Sequence, residues 1–139
     1  SATINSMIRP QFASLLLLIS ITLALPACQS IAEQKREDAL DTTLKLYGNT
    51  MRWQDPGNQA DFLKDPASMP TYRAVRVVSY DVVQQPTPVD ENLVSQVARI
   101  EYVHTDTQVI RTIDDRQLWE SNEEGTRWLR VNPPPSLSR

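Results

Sequence analysis

The apolar residues between positions 40 and 51 follow the repeat of an α-helix. They recur at the spacing i, i+4, i+7 and i+11, which places them on one side of a helix: Leu40, Leu44, Tyr47 and Met51. Asp41 and Lys45 share the opposite side at a spacing that supports a helix. The pattern predicts a long helix from about Glu33 to Gln54, ended by the turn residues 55–58. A second, short helix is predicted from about Asn58 to Lys64.

After Thr71 the pattern becomes that of β-strands, with β-branched runs separated by turn residues. Four strands are predicted: Tyr72 to Val83, Leu93 to His104, Gln108 to Trp119 and Thr126 to Val131. The short links between them favour hairpins and an antiparallel order that follows the chain. The predicted fold class is therefore α+β, with a long N-terminal helix and a short helix packed on a curved antiparallel sheet of about four strands in meander order.

The turn at residues 105–107 predicts the register of the second and third strands. It pairs Arg99 with Asp114 on a solvent face, because the opposite register would expose apolar residues. The other face then carries Ala98, Ile100, Tyr102 and His104, opposite Asp115, Ile113, Arg111 and Val109. Asp114 and Asp115 point to opposite faces, since neighbours in a strand alternate. In the last hairpin we expect Trp119 to face Trp128.

An uncharged apolar run from Phe12 to Leu25 follows Arg9 and precedes the only cysteine of the chain, Cys28. A basic start, a short apolar core and a small residue before the cut are typical of a secretory signal, and the run is shorter than the roughly 20 residues of a membrane helix. The segment Leu25-Pro26-Ala27-Cys28 resembles the lipobox of bacterial lipoproteins.

That resemblance implies cleavage before Cys28 and acylation of its thiol with fatty acids such as palmitate. Gln29 is not the aspartate that retains lipoproteins in the inner membrane, so the resemblance implies the periplasmic leaflet of the outer membrane. The chain is accordingly divided into a signal peptide at 1–27, a lipid-anchored tether at 28–34, one α+β domain at 35–132 and an extended, unpaired Pro-rich tail at 133–139. Residues 1–6 precede Met7, the expected natural start.

The charge and the content of cysteine and histidine exclude several classes of function. With 14 basic and 17 acidic residues in mixed order, the net charge is −3. The chain has no basic stripe for nucleic acid. One cysteine and one histidine predict no disulfide, no metal site and no cofactor. Stability must come from an ordinary apolar core.

The order of elements, with Arg52-Trp53, Phe62-Leu63, Trp119 and Trp128, resembles the cystatin-like, nuclear-transport-factor-2-like cone fold. Enzymes of that fold enclose a pocket between the sheet and the long helix, where an Asp or His is the general base.

The resemblance implies a candidate pocket at Tyr102, His104 and Arg111, with His104 as base and the other two residues as oxyanion donors. The alternative for Tyr102 and Arg111 is that they cap the core with their polar ends in water.

Two functions remain open from the sequence. Apolar residues of both parities in the first strand, such as Val77 and Val78, favour a second covered face, used by a homodimer or an envelope partner. The first hypothesis is a noncatalytic, lipid-anchored periplasmic protein that acts through protein–protein contact at the outer membrane. The alternative is a small-ligand-binding protein or isomerase-like enzyme using the pocket at Tyr102, His104 and Arg111.

Overall fold

The structure, a computed structural model, describes residues 30–138. The contacts given below lie within the unit Arg36–Arg139. The predicted signal peptide and Cys28 lie outside the described residues. Within residues 30–138, no helix is long and apolar enough to cross a membrane.

The predicted long helix, α1, covers residues 30–53 and is helical from the first described residue. Its apolar stripe is buried as expected at Leu44, Tyr47 and Met51. The next helix is a 3₁₀ helix, Pro56–Phe62, and a single further 3₁₀ turn covers Pro66–Ser68. Each of these segments begins with an aspartate whose side chain accepts a backbone N–H, followed by a proline, an arrangement that favours helix initiation.

The predicted four-stranded antiparallel meander is confirmed, with the order β1-β2-β3-β4. Its strands are β1 (Val75–Asp90), β2 (Leu93–His104), β3 (Ile110–Ser121) and β4 (Trp128–Arg130). β1 was predicted to end at Val83, but it continues through Pro86 and Pro88 to Asp90. Prolines are tolerated there because β1 is an edge strand, where a missing N–H on the open side removes no ladder bond.

The predicted register of β2 and β3 is confirmed, since Arg99 pairs with Asp114 and Tyr102 pairs with Arg111. The prediction for the last hairpin is wrong by two residues, because Trp119 pairs with Arg130. The Asn122 side-chain oxygen accepts N–H groups of residues 126 and 127, which closes a wider loop. A shift of two residues preserves the face, so Trp119 and Trp128 are both still buried.

A bulge in β1 changes the interpretation of its apolar pattern. Val77 pairs with Tyr102, yet Tyr80 pairs with Ile100, so one extra residue lies between them. Val77 and Tyr80 therefore face the same core despite their opposite parity. The expectation that both faces of β1 need a cover is corrected for these residues, although Val83 remains 47% exposed.

The core centres on Tyr47, whose ring packs edge-on against Trp119 at a centroid distance of 5.1 Å and against Phe62 at 5.4 Å. The C-terminal segment completes it, because Leu137 is 5% exposed and belongs to the same cluster. The tail therefore packs on the domain through its side chains and carbonyl groups. Trp53, the last residue of α1, lies outside this core and is 73% exposed.

Candidate functional site

The structure brings two of the three predicted pocket residues together. Tyr102 and His104 lie on the core face of β2, both buried, with their rings edge-on at 6.1 Å between centroids. Arg111 pairs with Tyr102 in the sheet, but its side chain is exposed. Although His104 ends β2 beside the turn, its side chain is buried, with 7% of its surface exposed.

The C-terminal segment of the chain forms hydrogen bonds with the polar groups of Tyr102 and His104. The Tyr102 hydroxyl donates to the carbonyl oxygen of Ser138 at 2.8 Å. The His104 Nε2 lies 3.1 Å from the carbonyl oxygen of Leu137, to which it donates. The sequence did not indicate this contact, because an irregular segment has no periodic pattern that would report its position.

The core of the described chain contains a buried ion pair that the sequence did not predict. Arg130 of β4 holds both carboxylate oxygens of Asp115 in β3, with Nη2 to Oδ1 at 2.7 Å and Nη1 to Oδ2 at 2.9 Å. The two side chains are 0% and 3% exposed. Asp115 was correctly placed on the core-facing side. A carboxylate on that buried side requires a cation to pair with it. That requirement is the one sequence feature that could have indicated a buried arginine such as Arg130.

Hydrogen bonds extend from Arg130 through α1 to the C-terminal segment. Arg130 Nη1 donates to the Tyr47 hydroxyl at 2.9 Å, and that hydroxyl donates to Gln59 Oε1 at 2.6 Å. Gln59 Nε2 donates to the Tyr72 hydroxyl at 3.2 Å. Tyr72 in turn donates to the Pro135 carbonyl at 2.8 Å. One continuous series of bonds thus joins β4, α1, the first 3₁₀ helix and the tail.

A second branch leaves Asp115 along the sheet. Gln117 Nε2 donates to Asp115 Oδ2 at 3.0 Å and to the Tyr80 hydroxyl at 2.9 Å. Gln117 Oε1 accepts from Gln96 and from the indole of Trp119, both at 3.1 Å. Within residues 30–138, no buried side-chain nitrogen or oxygen lacks a hydrogen-bond partner. This saturation is typical of a structural network.

The pKa shifts of the tyrosines and of Arg130 also favour a structural role for the network. Burial raises the pKa of Tyr47 far above its usual value, although the charge of Arg130 opposes the shift. Burial also raises the pKa of Tyr72 and of Tyr80 to about 12. Burial opposes the charge of Arg130, but hydrogen bonding to Asp115 and the attraction of nearby groups raise its pKa overall. These three tyrosines stay protonated near neutral pH. The hydroxyls of Tyr47 and Tyr72 donate hydrogen bonds, whereas that of Tyr80 accepts one from Gln117.

An elongated groove lies between α1 and the C-terminal half of β1. Two cavities of about 580 and 550 Å³ form it, and they share Asp41, Leu44, Gln85 and Pro86. Neither cavity is lined by Asp115, Arg130, Tyr102 or His104. Across residues 30–138, no group of three or more His, Cys, Asp or Glu side chains is placed to hold a metal ion.

One end of the groove carries exposed Trp53. The Arg52 guanidinium lies 4.1 Å from the centre of the Trp53 ring, a stacked cation–π arrangement. Arg52 Nη1 also donates to the Val77 carbonyl of β1 at 3.2 Å. This contact holds the end of α1 against β1.

The two edges of the sheet differ. β4 has only three residues, and the chain after the first 3₁₀ helix covers it through a parallel bridge from Leu63 to Arg130 and a 2.9 Å bond from Lys64 N to the Arg130 carbonyl. β1 has 16 residues and, within the described chain, pairs with a strand on one side alone. An edge of this length offers unpaired backbone groups to another chain.

No protein-family model, no curated protein and no solved structure matches this chain. Its function is therefore inferred from the geometry and chemistry of its own residues.

Proposed function

We propose that this chain is a noncatalytic, lipid-anchored envelope protein that acts through protein–protein contact at the periplasmic side of the outer membrane. The observation that carries the proposal is that the C-terminal segment of the chain covers the core face of the sheet at Tyr102 and His104. The carbonyl groups of Leu137 and Ser138 bind His104 and Tyr102, the groups that a pocket enzyme would present to its substrate.

Catalysis by His104 requires a substrate atom within hydrogen-bond reach of its ring. The Leu137 carbonyl takes that position at Nε2, and the buried Leu137 side chain belongs to the core. A substrate would have to displace the tail and lose its packing. The same residues therefore favour a structural role over the isomerase-like alternative.

The exposed groups beside β1 are those that protein partners use. Val82 and Val83 are exposed on this edge strand, and Trp53 and Arg52 lie at the neighbouring end of α1. Tryptophan and arginine are enriched among the residues that dominate binding energy. An open strand adds backbone hydrogen bonds to such a surface.

The membrane part of the proposal is supported by the lipobox resemblance at Leu25-Pro26-Ala27-Cys28. One acyl chain holds a protein only marginally, whereas two or more give stable attachment. Metabolic labelling with palmitate, compared with a Cys28→Ala variant, tests the anchor. Labelling that persists in the variant would contradict acylation at Cys28.

Site-specific photo-crosslinking in living cells tests the protein–protein contact. A photoreactive amino acid replaces exposed Val83 on β1 in the full chain, and the matched control carries it at exposed Thr112 on the outer face of β3. We expect discrete protein adducts from position 83 and none from position 112. Equal patterns at both positions, or no adduct at either, would overturn the proposal.

A further inference from the structure

We propose that β1 pairs in antiparallel fashion with β1 of a second copy of this chain, so that two four-stranded sheets join at their open edges. This inference rests on the proposed function, for which it names one partner. The two-fold axis lies between Val78 and Ser79. Arg76 of each copy then lies opposite Asp81 of the other.

The bulge in β1 makes this charge pairing geometrically consistent. Arg76 pairs with Val103 and Asp81 pairs with Arg99 inside the sheet. Val103 and Arg99 share the face of β2 opposite Tyr102, because residues alternate along a strand. Arg76 and Asp81 therefore lie on the same face, although five positions separate them. Across a two-fold axis normal to the sheet, the outer faces of both copies lie on the same side.

Both charged side chains are free to make this contact. Arg76 and Asp81 are exposed, and within residues 30–138 neither has an ion-pair partner within 4.0 Å. Opposite charges directly across two antiparallel strands attract, whereas like charges there repel. The two-fold axis creates the Arg76–Asp81 pair twice.

The same register places apolar residues of β1 opposite one another. Val77 lies opposite Tyr80 of the second copy, and Val82 lies opposite Val75 of the second copy. Val82 is among the exposed apolar residues of the chain. A strand register that matches charge with charge and apolar with apolar groups favours pairing with itself over pairing with an arbitrary edge.

The chain also defines where pairing stops. Pro86 and Pro88 have no backbone N–H, so a paired segment ends before Pro86. Arg52 Nη1 now donates to the Val77 carbonyl. In the joined sheet a backbone N–H of the second copy takes over this acceptor, while the Arg52 guanidinium keeps its position on the Trp53 ring.

Sedimentation of the full chain in a mild detergent tests the inference through charge reversal. We expect a dimer that Arg76→Glu or Asp81→Arg alone weakens by about tenfold or more in Kd, and that the double reversal restores. The matched control is Arg116→Glu, an exposed arginine on β3 away from the edge, which leaves the dimer unchanged. A monomeric wild-type chain, or a dimer that survives both single reversals, overturns the inference.

Carbodiimide coupling gives the register directly. Arg76→Lys keeps the charge and supplies an amine, which we expect to couple to the Asp81 carboxylate of a second copy. Mixing ¹⁴N- and ¹⁵N-labelled chains then yields mixed-isotope crosslinked peptides. Crosslinked peptides that are never of mixed isotope type, or coupling of position 76 to another carboxylate, would contradict this register.

The two experiments separate this inference from the proposed function. A monomeric chain whose position 83 still crosslinks to a different envelope protein overturns the second-copy partner and leaves the proposed function standing. A monomeric chain with no adduct at position 83 overturns both.

Discussion

Two ion pairs on opposite faces of the sheet show how differently the same chemistry behaves in this molecule. Asp114 on the outer face bonds Arg99 at 2.9 and 3.2 Å, with both side chains 52% exposed. Asp115, the next residue, is buried with Arg130 and has comparable distances. The pleat of one strand therefore separates a solvated pair from a dehydrated one.

The difference lies in what surrounds each pair. In water the exposed pair gains little, because solvent and salt screen both charges. The buried pair has lost its hydration and depends on further donors and acceptors, among them Tyr47 and Gln117. Breaking the buried pair is therefore expected to cost far more than breaking the exposed one.

The largest effect is expected from Arg130→Met. It leaves the Asp115 carboxylate buried without its cation, which should lower the free energy of unfolding by about 3–5 kcal/mol. Urea denaturation followed by tryptophan fluorescence measures the change. The double variant Asp115→Leu with Arg130→Met should recover most of the loss, because no buried charge remains. A loss below about 1 kcal/mol for the single variant would contradict the buried pair.

A smaller effect is expected from Tyr47→Phe. The Tyr47 hydroxyl bonds both Arg130 and Gln59, so its removal leaves a buried donor and a buried acceptor unpaired, at a cost of about 1–3 kcal/mol. The control is Tyr102→Phe, which loses a single bond to the Ser138 carbonyl. Equal changes in the free energy of unfolding for the two variants would show that the network adds nothing beyond single bonds.

High pH should destabilise the buried hydrogen-bond network around Asp115 and Arg130. Burial raises the pKa of Tyr80 and of Tyr72 to about 12, above the usual value of 10.0. Between pH 10 and 12 the unfolded chain loses these protons while the folded chain keeps them, so stability is complete below pH 10 and falls as the pH rises. Thermal unfolding across this range measures the slope, and Tyr80→Phe should flatten it. An identical slope in that variant would refute the assignment to Tyr80.

The smallest effect is expected on the outer face. Arg99→Ala should leave the urea midpoint unchanged within error, because the exposed pair is screened. The hydrogen bond from Arg99 lowers the pKa of Asp114, so the variant should raise that pKa, as NMR titration of the Asp114 carboxyl would show. A drop in stability comparable to that of Arg130→Met would remove the distinction between the two faces.

Several parts of the fold followed from local patterns, and others did not. The register of β2 and β3 was predicted because a short turn and strict alternation permit one arrangement that buries Ile100 and Ile113. The register of β4 was missed because hydrogen bonds to the Asn122 side chain close a wider loop between β3 and β4 than the sequence of the turn indicated. Tyr102 and His104 were correctly placed on the core face, but the segment that covers them was not predicted.

The sequence by itself determined the buried stripe of α1, the order of the strands and the face on which Asp115 lies, because periods of 3.6 and 2.0 residues report which side meets the core. The lipid anchor at Cys28 stays a prediction from the same source. Only the tertiary structure decided that Arg130 partners Asp115, that Leu137 fills the core and that β1 bulges. Such contacts join segments far apart in the chain, and loop closure sets their position without leaving a periodic signal in the sequence.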